Sequence, residues 1–115
     1  MIDKFVNQYL ETALWSSTDD NDRPFNENYS IEDIADESYV NAVVECQSFI
    51  DQAGDYLHGL DITNVGHDFW LTRNHHGAGF WDGDYTKEVG DFLIKLAHSF
   101  GECNLFVGDD GYIYL

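Results

Sequence analysis

Charge constrains this chain more than any other feature: 22 aspartates and glutamates stand against five lysines and arginines, a formal net charge of -17 over 115 residues. Self-repulsion on that scale favours an expanded chain unless enough apolar surface is buried to oppose it. Hydrophobic residues make up 43% of the sequence and aromatics 16%, which supplies that surface. The expectation is one folded domain spanning residues 1–115, an apolar core inside a negatively charged shell. The length leaves no room for two independent cores.

The same charge narrows the partners. Affinity for nucleic acid comes largely from neutralising phosphates and releasing counterions, so this surface is expected to repel DNA and RNA. It is expected to repel anionic membranes for the same reason. A basic protein is the complementary partner, with encounter steered by the field and weakened by salt. Solubility alone is the competing explanation for the acidity. The opening MIDKFVNQYLETALW lacks a basic segment followed by an apolar run, so no signal peptide is expected, and no apolar stretch is long enough to span a membrane. Cys46 and Cys103 match no metal or redox spacing. Buried, reduced thiols and a cytoplasmic setting are expected, with no cofactor.

Residues 4–16 place Phe5, Val6, Tyr9, Leu10, Ala13 and Leu14 on one face of a helix. An acidic loop over 19–29 holds the only proline, Pro24. Ser30, with Asp33 three positions on, is close to a capping box and opens a helical stretch over 31–57. That stretch divides into a short turn and a longer helix capped by Ser38, with a stop near His58-Gly59. Residues 67–73 (HDFWLTR) and 78–82 (AGFWD) are rich in strand formers around a tight Asn74-His75-His76-Gly77 connection, which predicts a β-hairpin. A helix over 85–100 stops at Gly101, and strands over 103–107 and 111–115 flank the turn residues Gly108-Asp109-Asp110-Gly111. The order α-α-β-β-α-β-β predicts an α+β fold, with an antiparallel sheet of about four strands covered by helices.

Negative charge is uneven along the chain: residues 1–62 carry a net of -12 and residues 63–115 a net of -5. The acids crowd at Asp19, Asp20, Asp22, Glu27, Glu32, Asp33, Asp36 and Glu37, opposed there only by Arg23. On a continuous helix Glu32 and Asp36, and Asp33 and Glu37, are neighbours, and such like-charge pairs cost about 0.2–0.5 kcal/mol each. One reading is a row of carboxylates that imitates a phosphate backbone and occupies the basic groove of a DNA-binding protein, with Asp82, Asp84, Glu88 and Asp91 assisting. The other is a solvated face with no partner.

The second notable segment, GHDFWLTRNHHGAGFWD over 66–82, holds His67, Asp68, His75 and His76. These residue types can build a metal or acid–base site, which would make the chain a small metal-dependent or acid–base enzyme. No HExxH, HxH or CxxC spacing supports it. The competing reading has His75 and His76 at an exposed turn, with Phe69, Trp70, Phe80 and Trp81 as cross-strand aromatic pairs. Asp82-Gly83-Asp84 and Asp109-Asp110-Gly111 lack the ligand spacing of a calcium loop and read as turns. Neither GxSxG nor a complete dinucleotide loop is present.

The runs ALWSSTDD, NYSIEDIA and GHDFWLTRNHHGAGFWD, with GECNLFVGDDGYIYL at the end, together resemble a family of small acidic proteins encoded by bacteriophages. The resemblance covers most of the chain and carries no catalytic residues. It implies a non-enzymatic protein of the host-cell cytoplasm. Small acidic phage proteins often imitate DNA and inhibit host defence or repair proteins, and a basic, nucleic-acid-binding host protein is the partner so implied. Family likeness alone does not establish function.

Overall fold

A computed structural model describes residues 2–19, 21–81 and 85–115. Among them, helix α1 (Ile2–Ser16) follows the predicted periodicity and buries Phe5, Val6, Tyr9, Leu10, Ala13 and Leu14. A 3₁₀ turn at Phe25–Glu27 and another at Ile31–Asp33 lead into α2 (Asp36–Ala53). Next come α3 (Ile62–Arg73), α4 (Lys87–Ser99) and the two short strands β1 (Phe106–Val107) and β2 (Ile113–Tyr114). No helix among the described residues is long and apolar enough to cross a membrane.

The expected four-strand sheet is not formed: among the described residues the chain is mostly helical, with one sheet of two antiparallel strands. The error lies at 67–82, where the predicted hairpin is replaced by α3 and the loop after it. Asp61 caps α3, its carboxylate accepting from the Thr63 backbone N–H at 2.9 Å. Strand-forming composition is overridden by packing: Val65, Phe69 and Arg73 recur at helical spacing and are all buried. Helix α1 makes its most extensive contact with α3. At the crossing, a Cβ on Gly66 would lie 2.6 Å from the Phe5 carbonyl oxygen, so glycine is what allows the two backbones to approach.

The tight connection at 74–77 is a helix C-cap and not a hairpin turn. His75 N–H donates to the Thr72 carbonyl at 3.1 Å and His76 N–H to the Leu71 carbonyl at 3.0 Å, with His75 at φ 58. That is the Schellman pattern, with histidine at the position glycine usually fills. The four aromatics are therefore not cross-strand pairs. Phe69 and Phe80 each stack on Phe49, with centroids 4.2 and 5.9 Å away, and Trp70 is buried with its indole N–H donating to Ser16 Oγ at 3.0 Å. Trp81 is on the surface.

Ser38 does not cap the longer helix either. It lies inside the first turn of α2, buried, and its hydroxyl accepts from the Leu115 N–H at 3.2 Å, which ties the C-terminal strand to α2. Helix α4 falls within the predicted 85–100, buries Leu93, Leu96 and Ala97, and ends before Gly101 at φ 77. The predicted 108–111 turn closes the β1–β2 hairpin, with Gly108 N–H donating to the Tyr112 carbonyl at 2.8 Å. Ile34 joins β2 by a parallel bridge to Ile113, and Ala35 N–H donates to the Ile113 carbonyl at 2.8 Å.

Buried hydrophobics from all four helices and from Ile113 form one contiguous core. At its edge Arg73 is 2% exposed, and its five guanidinium donors reach Tyr9 Oη, both Glu45 carboxylate oxygens, and the Phe100 and Gly101 carbonyls at 2.8–3.3 Å. The guanidinium also lies over the Phe69 and Phe100 rings. Burial pushes the Tyr9 phenol well above its ordinary pKa despite the neighbouring Arg73. Burial likewise raises the thiols of Cys46 and Cys103, both free, which makes them poor nucleophiles.

Candidate functional site

The parallel bridge at Ile34 decides where the acidic residues go. Burying Ile34 breaks the helical stretch: Ile34 and Ala35 are extended, at ψ 129 and 142, between the 3₁₀ turn and α2. Glu32 and Asp33 therefore do not stack on Asp36 and Glu37 as neighbours on one helix, and the expected like-charge rows do not form. Instead the break lies against the β1–β2 turn. Glu32, Asp36 and Glu37 line a cleft of about 510 Å³ together with Ile34, Ala35 and, from the hairpin, Asp110, Tyr112 and Tyr114. No lysine or arginine lines it.

Asp110 is the residue that sequence reasoning missed as a site member. Its carboxylate accepts from the Tyr114 hydroxyl at 2.5 Å and the Tyr112 N–H at 3.0 Å. The Tyr114 bond first, then the Tyr112 one, hold the Asp110 carboxyl below the usual carboxylate range, and the Tyr114 hydroxyl is pushed up to about 12. The depressed Asp110 value means that its contribution to the turn is present above the unfolded carboxyl value and is lost as pH falls through the folded one. The raised Tyr114 value works oppositely, with a contribution present below the unfolded value of 10.0 and lost as pH rises towards about 12. In Tyr114→Phe the Asp110 carboxyl, followed by carbon NMR, is expected to titrate at higher pH than in the parent. An unchanged titration would show that the bond is not populated in solution.

The other sequence-predicted acids are divided. Asp19 is spent on its own loop, accepting from the Asn21 and Arg23 N–H groups at 2.8 and 3.1 Å. Glu27 faces Arg23 at 3.8 Å, and Asp33 accepts from the Ser30 N–H at 2.9 Å in the predicted capping arrangement. Asp22 is exposed at φ 60. Glu88 is exposed on α4, and Asp91 pairs with Lys87 at 2.8 Å and lines a different cleft, beside Phe80 and Trp81. Asp20, Asp82 and Asp84 lie outside the described residues. Three of the acids named from sequence, Glu32, Asp36 and Glu37, share one cleft with the hairpin.

A second depression, of about 580 Å³, shares Glu32 with the acidic cleft and also holds Tyr29. A third, of about 310 Å³, shares Tyr29 with the second and is lined as well by Phe25, Asp19 and the β1 segment 105–107. Tyr112, in the acidic cleft, is 50% exposed, and Phe106, in the depression of about 310 Å³, is 58% exposed.

The histidine residues are scattered by α3. His67 Nδ1 is 2.8 Å from Thr12 Oγ1, and its ring lies 5.9 Å from Trp15. Asp68 is buried and accepts from the Tyr85 hydroxyl at 2.5 Å. The His75 ring lies tilted against His98 with centroids 4.3 Å apart, and His76 belongs to the helix cap. Among the described residues, no three His, Cys, Asp or Glu side chains come together as a metal-holding group.

No protein-family model, no curated protein and no solved structure matches the chain.

Proposed function

We propose that this chain is a non-enzymatic binding protein that engages a basic protein partner through the cleft of Glu32, Asp36, Glu37 and Asp110. The supporting observation is the convergence of four carboxylates from two distant parts of the chain on one concave surface that no lysine or arginine lines. Such a surface offers charge-assisted hydrogen bonds to lysine or arginine, and Tyr112 and Tyr114 offer ring faces to a guanidinium. The overall charge of -17 adds long-range steering. In its finer form the proposal is a DNA mimic that inhibits a basic, nucleic-acid-binding host defence or repair protein, with these carboxylates in the place of phosphates. The resemblance to acidic phage proteins supports that form.

Immobilised protein is expected to retain basic nucleic-acid-binding proteins from a bacterial lysate at low salt and to release them as salt rises. The triple variant Glu32→Gln, Asp36→Asn, Glu37→Gln is expected to keep its fold and lose most of that retention. Equal retention by the variant would remove the cleft from the interface, and no retention by the parent at low salt would end the proposal.

A further inference from the structure

The hairpin has one edge in use and one open. Gly108 N–H donates to the Tyr112 carbonyl, and Phe106 is paired with Tyr114 and Val107 with Ile113. Hydrogen-bonded and non-bonded pairs alternate along an antiparallel ladder, so 108/112 and 106/114 are the bonded pairs and Val107/Ile113 the non-bonded one. The N–H and C=O of Val107 and of Ile113 therefore point away from the hairpin. Those of Ile113 face the extended 34–35 segment, and its carbonyl accepts from Ala35 N–H at 2.8 Å. Those of Val107 meet no backbone partner among the described residues. A cleft of about 310 Å³ runs beside this open edge, between segment 105–107 and the loop that holds Asp19, Phe25 and Tyr29.

We propose that the β1 edge takes an extended, lysine- or arginine-bearing segment of the partner as an added strand. The proposal deepens the reading of a basic partner and rests on it. Main-chain pairing with Val107 supplies register, and the cleft walls receive alternate side chains. Charge complementarity picks the occupant: the edge belongs to a chain of net charge -17, Asp19 lines the cleft beside it, and a depression holding both Tyr29 and Glu32 lies between that cleft and the acidic one. A second copy of the chain is repelled by the same field. A two-stranded hairpin is marginal on its own, so a third strand also stabilises the element that receives it.

The test uses a capped five-residue peptide alternating lysine and valine, titrated into the full chain at low salt and followed through the Phe106 and Gly108 amides by NMR, which the parent and the variant below both retain. The same peptide N-methylated at its central residue keeps its charge and loses a backbone donor. Val107→Pro removes the outward N–H without touching the β1–β2 bonds, a position where an edge strand tolerates proline. Saturable binding is expected, weakened about 3- to 10-fold by N-methylation and similarly by the proline variant. Binding insensitive to both changes would overturn strand addition and leave the charge-based reading standing. No binding of any form at low salt would overturn both. Should Val107→Pro disturb the fold, the N-methylated peptide against the parent protein decides alone.

Discussion

Replacing Arg73 with methionine is expected to lower the unfolding free energy by about 3–5 kcal/mol, the usual cost of removing one member of a buried charge pair. Methionine has a comparable stem, so the loss comes from the groups left behind and not from a void. Tyr9 Oη would lose its donor in a site where the ring is 0% exposed, and the Phe100 and Gly101 carbonyls at the end of α4 would lose theirs. The Glu45 side chain is 35% exposed and can turn to water, which places the effect at the lower end of the range. Lysine is not a conservative replacement, since it presents a point charge where five directed donors are used. Urea unfolding would show a lower midpoint at unchanged slope. A loss under about 1 kcal/mol would mean that Arg73 is not the clamp joining α1, α2 and α4 onto α3.

Gly66→Ala is expected to cost about 1–3 kcal/mol, as overpacking in a tight core does. Alanine is the better helix former and would stabilise α3 by about 1 kcal/mol if the site were open. The sign is set by the Phe5 carbonyl, 2.6 Å from where the new Cβ would stand; it is backbone and cannot move without shifting α1. Thermal unfolding separates the two outcomes: a raised midpoint would show that α1 and α3 do not approach as closely as described. A control at an exposed α2 position, Asn41→Ala, is expected to be neutral or slightly stabilising.

The helices α1 and α4 were legible in the sequence because each carries its own apolar stripe. Their stops, at Ser16 and before Gly101, were legible as well, whereas the Thr86 cap of α4 was not read. The hairpin of β1 and β2 was legible in its turn residues, though its strands are shorter than expected. Residues 67–73 were misread because their aromatic and β-branched content resembles a strand; the capping aspartate at 61 was a local sign of a helix, and the nonlocal one is a glycine that packs against the α1 backbone. Likewise Glu32, Asp36 and Glu37 were identified as candidates from crowding alone, but Asp110, more than seventy positions away, gave no sign of joining them.

By itself, then, the sequence determined the charge, the apolar stripes and the turn chemistry, because those reside in single residues and their near neighbours. Only the tertiary structure decided which carboxylates share a surface. The reason is the burial of Ile34 against Ile113, which sets the acidic stretch around the junction of the short turn and α2 beside the C-terminal hairpin.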